Sequence, residues 1–69
     1  MPLLLLNVGE HAVIKRIGGK PEVKQHLSDL GFIVGASSLV VSKLGDNLIV
    51  NIKNSRIALD RGMAKSIFI

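Results

Sequence analysis

Sixty-nine residues with no cysteine, tryptophan or tyrosine leave room for one small domain; a chain this short buries only about 60% of the surface its unfolded form exposes, and no disulfide can supplement its core. The 48% apolar fraction meets that demand, while a net charge of +4 and a pI near 10.0 suit an acidic partner, a phosphate or a membrane face without choosing among them. Disulfide scaffolds and zinc ribbons are excluded, and a cysteine-free composition favours the cytoplasm over secretion.

Leu3 to Leu6 form an apolar run after Pro2. It is shorter than the roughly 7 to 15 residues of a secretory apolar region or the roughly 20 of a membrane-spanning helix. It therefore reads as the first core-bound segment of a soluble chain, with no direct membrane insertion. His11 to Ile17, carrying Val13 and Ile14, is predicted to be a strand that ends at the flexible pair Gly18-Gly19.

The one helical stretch lies near residues 21–30. Pro21 suits a first helical position, Glu22 favours the positive end of the helix dipole, and Val23, Leu27 and Leu30 recur at i, i+4 and i+7 to form a buried face. Gly31 follows as a natural terminator, with Phe32 placed for the apolar contact that accompanies such ends.

After Gly35 the period changes. Leu39 to Val41 and the alternating Leu48 to Lys53 are predicted to be strands joined through Gly45-Asp46-Asn47. Asn54-Ser55 offers a second tight turn leading into a strand over Ile57 to Leu59. Asp60 is suited to cap a single helical turn through Gly62, and Ser66 to Ile69 forms a last strand. The expected fold is mainly β: a strongly bent small barrel of about five short strands with one inserted helix, a closure that hides strand edges. Ile67 to Ile69 would remain as an edge open to a second chain, compatible with a homo-oligomer.

The sequence is poor in catalytic groups. His11 and His26 are the only neutral-pH bases, neither lies in a nucleophile motif, and the serines have no activating partner by spacing. Gly18-Gly19-Lys20 lacks the spacing of a phosphate-binding loop. Catalytic residues and cofactors are thus expected to be absent. Glu22, His26 and Asp29 at i, i+4 and i+7 are the weak candidates for a transition-metal site; more simply they form the solvated flank of the helix. Lys15, Arg16, Lys20, Lys24, Lys53, Arg56, Arg61 and Lys65 would serve nucleic acid or an anionic phosphate surface if they gathered on one face. Base recognition by small barrels uses aromatic platforms, however, and Phe32 and Phe68 both stand in contexts that read as core. Nucleic acid is therefore not the expected partner.

Taken in order, several motifs resemble one family. They are L-x-x-L-x-x-G at Leu3, Leu6 and Gly9, I-K-R-I-G-G at Ile14 to Gly19, and L-x-D-L-G-F at Leu27 to Phe32 followed by Gly35. L-G-D-N at Leu44 to Asn47, I-A-L-D-R at Ile57 to Arg61 and A-x-x-I-x-I at Ala64 to Ile69 complete the series. Each is short, but together they span the whole chain, which is similar to the FeoA family. Asn54 stands where the family more commonly has a turn glycine and meets the same backbone need.

This resemblance implies one SH3-like domain over residues 1–69, acting as a non-enzymatic cytoplasmic accessory of ferrous iron uptake. Its implied partner is FeoB, the membrane transporter with a cytoplasmic GTP-binding domain, whose GTPase or assembly it would modulate. The resemblance makes Leu27, Leu30, Gly31 and Phe32 candidates for docking, although apolar helical spacing also marks Leu27 and Leu30 as core. Lys20 and Lys24 would add electrostatic steering, and Arg56 and Arg61 are further candidates.

Overall fold

The computed structural model describes residues 1–69. A short 3-10 turn over Leu3–Leu5 comes first; Leu3 and Leu6 are buried, whereas Leu5 is turned outward. The segment expected to be one strand is two, β1 (His11–Val13) and β2 (Arg16–Ile17), bent about the buried Ile14. Helix α1 spans Pro21–Asp29. Strands β3 (Ser37–Leu44), β4 (Asn47–Ile52) and β5 (Ser55–Leu59) follow, then helix α2 (Arg61–Ser66) and strand β6 (Ile67–Phe68).

Six strands thus replace the expected five, because the bend at Ile14 lets one segment serve two sheets. The larger sheet runs β1-β3-β4-β5 and the smaller pairs β2 with β6, all antiparallel. A register shift between Val40 and Ser42 bends β3, and such irregularities increase local twist. The alternation expected of β4 is present: Leu48, Val50 and Ile52 face the core. They meet Leu3, Leu27, Phe32, Leu59 and Ile67 in one cluster of 12 buried apolar residues.

Both turns of the larger sheet have two residues. Leu44 pairs with Asn47, leaving Gly45 and Asp46 as the loop, and Gly45 takes φ +60, as the first position of a type II′ turn requires. Ile52 pairs with Ser55, so the second turn is Lys53-Asn54, one residue earlier than the expected Asn54-Ser55. Both residues have positive φ, 47° and 66°, the backbone that a type I′ turn demands.

The capped turn at Asp60 is present but longer than predicted. The Asp60 carboxylate accepts a hydrogen bond from Met63 N–H at 2.8 Å, and the helix continues to Ser66 with Ala64 buried beneath it. Phe68 is not core: it is half-buried, and the Arg16 guanidinium lies over its ring, 4.1 Å from the centroid. The C-terminal strand offers no open edge either. β2 flanks it on one side, while Pro2 bridges to Phe68 and Ile69 N–H donates to Met1 O at 2.8 Å.

Candidate functional site

The most recognisable motif of the sequence, Leu27 to Phe32, forms the end of α1. Phe32 N–H donates to Leu27 O at 2.9 Å and Gly31 N–H to Ser28 O at 3.0 Å, the paired bonds by which a glycine-ended helix satisfies its last carbonyls. Gly31 makes this possible with φ +104, a conformation that costs side-chain-bearing residues dearly. Reversing the chain there drives Phe32 back under the helix, so that Leu27 and Phe32 are 0% and 1% exposed. Neither side chain reaches the surface, so these two docking candidates are core residues. Val23 and Leu30, expected to share the buried face, are only half-buried; the helix anchors mainly through Leu27.

Folding brings the end of α1 against the β4–β5 turn. A Cβ placed on Gly31 would lie 3.6 Å from Lys53 Cδ and 4.0 Å from Ile52 Cγ2. Around the turn, Asn51, Ile52, Lys53, Asn54 and Arg56 line a hollow of about 380 Å³. Arg56 Nε donates to Asn51 Oδ1 at 3.4 Å, which holds the guanidinium along the sheet. Gly31, Lys53, Asn54 and Arg56 therefore form one neighbourhood from two distant stretches of sequence, with Leu30 preceding Gly31 in the chain. Its lining holds two cations and no carboxylate.

The remaining candidates lie elsewhere. Lys20 and Lys24 are exposed at the opposite, N-terminal end of α1. Arg61 lines a second hollow, about 170 Å³, with Leu4, Lys43, Asp46 and Leu48 among its neighbours. The two hollows sit at opposite ends of β4, roughly 17 Å apart at about 3.4 Å per residue. Arg16 is in the smaller sheet beside Phe68. The cations of the two hollows, Lys53 with Arg56 and Lys43 with Arg61, are thus held apart at opposite ends of β4, while Arg16 lies beside the Gly18-Gly19 turn that leads into Lys20.

The helix flank does not assemble a metal centre. Glu22, His26 and Asp29 are exposed, Asp29 Oδ1 accepts from Gln25 Nε2 at 2.9 Å, and no three histidine or acidic side chains converge anywhere in the chain. Ser38 and Ser66 hydroxyls donate to the backbone carbonyls of Ala12 and Gly62. These hydroxyls fix the backbone.

Sequence reasoning missed one apolar surface. Gly35 N–H donates to Ile14 O at 2.8 Å and Ile14 N–H to Ala36 O at 2.9 Å, which holds the loop after α1 against the bend between β1 and β2. Val13 and Val34 on these adjoining segments are 52% and 64% exposed, with Ile33 at 41%. The signal was the run Phe32-Ile33-Val34, of which only the first residue has a place inside.

The family model for the FeoA domain matches residues 1–69. A Methanocaldococcus jannaschii protein named Fe(2+) transport protein A is 29% identical over 68 residues, covering 99% of this chain and 83% of its own. Among solved structures, the Chlorobium tepidum FeoA protein is 31% identical with a TM-score of 0.89, over 99% of this chain and 67% of that one. Stenotrophomonas maltophilia FeoA, described as an SH3 domain protein and solved with zinc, is 27% identical with a TM-score of 0.88, over 99% and 87% of the two chains. The expected SH3-like fold is the observed one.

Proposed function

Since this chain belongs to the FeoA domain family over its full length, a family associated with ferrous iron transport, we propose that it is a non-enzymatic cytoplasmic accessory that docks on the FeoB transporter. Docking acts on the transporter's GTPase or on its assembly. The observation that carries this reading is the meeting of Gly31 with Lys53. It joins the end of the motif-bearing helix to a cationic turn, which supports a docking surface made of Lys53, Asn54 and Arg56 together with Leu30 at the helix end. Leu30 supplies apolar contact, and Lys53 and Arg56 steer an acidic counterpart, an effect felt mostly in association rate. Lys20, Lys24 and Arg61, on other faces, contribute to the long-range field. No helix is long and apolar enough to cross a membrane, which suits a docking module.

The test is a titration of the isotope-labelled protein with the cytoplasmic domain of its cognate FeoB, with and without guanine nucleotide. Backbone amide shifts gathered at residues 28–33 and 51–56 are expected. Shifts confined to other faces, or none at high micromolar concentration, would overturn this assignment of surface and partner domain. The second reading, a basic barrel for nucleic acid or anionic lipid, requires a single cationic face, and the separation of Arg56 from Arg61 at opposite ends of β4 does not favour it.

A further inference from the structure

Strand β5 ends the larger sheet on one side, and its outer edge is unpaired. Across the β4–β5 ladder Ile52 stands opposite Ser55, Asn51 opposite Arg56, Val50 opposite Ile57 and Ile49 opposite Ala58. In an antiparallel ladder, pairs that exchange both hydrogen bonds alternate with pairs that exchange none. A two-residue turn makes the pair next to it a bonded one. Ile52–Ser55 and Val50–Ile57 are then the bonded pairs, so the N–H and C=O groups of Arg56 and Ala58 point away from β4. No loop, cap or terminus bonds to them, and both residues are exposed. The strand β6, by contrast, is flanked on both sides.

The charge along this edge has one dominant sign. Lys53 precedes the strand, Arg56 stands on it and Arg61 follows it; the neighbouring carboxylate, Asp60, is engaged as the cap of α2. A second copy would bring another net-cationic edge against the first. Five residues of strand also fall far short of the roughly 800 Å² per partner of a stable interface. An extended acidic segment complements the charge, and strand addition does not need the area of a stable dimer, because main-chain bonds supply its affinity and alternate side chains its selectivity.

We propose that the β5 edge takes up an extended segment of a partner protein as an added antiparallel strand, and that this segment carries acidic side chains at alternate positions on the face shared with Arg56. The surface adjoins the hollow around Lys53, but the inference does not rest on the transporter reading.

The experiment uses the whole isotope-labelled chain and a short capped peptide alternating threonine with glutamate, with a threonine–lysine peptide as its counterpart. Amide shifts should centre on Arg56 and Ala58, whose hydrogen exchange should slow severalfold, and the lysine peptide should bind more weakly. Arg56→Glu should weaken glutamate-peptide binding about two- to fivefold, the range of a cross-strand charge pair. Ala58→Pro should retain the folded spectrum, since an edge strand tolerates proline where the lost N–H faces solvent, and should abolish binding; if it fails to fold, Arg56→Glu still decides. The proposal falls if no peptide binds at millimolar concentration, if shifts lie away from β5, or if the lysine peptide binds equally well. It falls also if Arg56 and Ala58 amides become protected with protein concentration alone, which would make a second copy the occupant.

Discussion

Gly31 and Lys53, 22 positions apart in sequence, meet where the end of α1 abuts the β4–β5 turn, with Lys53 Cδ 3.6 Å from the position a Gly31 Cβ would take. That distance is an ordinary van der Waals contact, so the constraint on Gly31 lies in its backbone, φ +104. Gly31→Ala should accordingly cost about 1 to 3 kcal/mol, measured by urea denaturation. A thermal midpoint lowered by some 4 to 8 °C per kcal/mol would accompany it. An unchanged midpoint would show that the helix end can re-form without the positive-φ residue.

The Lys53-Asn54 turn places two side-chain-bearing residues at positive φ, a conformation that costs most residues roughly 1 to 2 kcal/mol. Replacing the pair by the sequence that best fits such a turn, Lys53→Asn with Asn54→Gly, should stabilise the domain by about 1 kcal/mol. Because Lys53 belongs to the proposed docking surface, the same double variant should weaken partner binding. Opposite changes in stability and affinity would separate the two roles of the turn.

Asp60 caps α2 through Met63 N–H. Asp60→Ala should destabilise by about 0.5 to 2 kcal/mol, and Asp60→Asn, which retains an acceptor oxygen, by much less. Chemical denaturation of the two variants side by side makes the comparison.

Leu27 and Leu30 separate packing from surface on one helix end. Leu27 is fully buried, so Leu27→Ala should cost about 2 to 5 kcal/mol. Leu30 is half-buried, and Leu30→Ala should cost distinctly less while reducing partner affinity. Equal losses of stability would remove Leu30 from the candidate surface.

How much of this was legible follows from how local each signal is. The start of α1 at Pro21 and its end at Gly31-Phe32 depend on residues adjacent in sequence, and both were read correctly. The division of His11–Ile17 was not legible, because it is set by β3 and β6, whose paired residues lie 24 to 28 and 50 to 52 positions away. α2 was expected only as one turn through Gly62; its continuation to Ser66 places Ala64 in the core, which the local sequence does not show. The half-buried place of Phe68 was not legible because the Arg16 guanidinium that covers its ring comes from another strand. At the candidate site the residue types were visible but the grouping was not: the end of α1 and the turn bearing Lys53 come together only through the approach of Gly31 to Lys53, whereas Lys20 and Arg61 are carried elsewhere.

The pairing of the two chain ends bears on how the domain responds to force. Met1 and Ile69 are joined by the terminal ammonium at 3.2 Å and by the Ile69 N–H at 2.8 Å, with the Pro2–Phe68 bridge behind them. Tension applied between the ends would load these antiparallel contacts one after another, as in unzipping, rather than all together in shear. The domain should therefore part from its ends inward under light pulling, and chains attached at either end would leave from the same point on its surface.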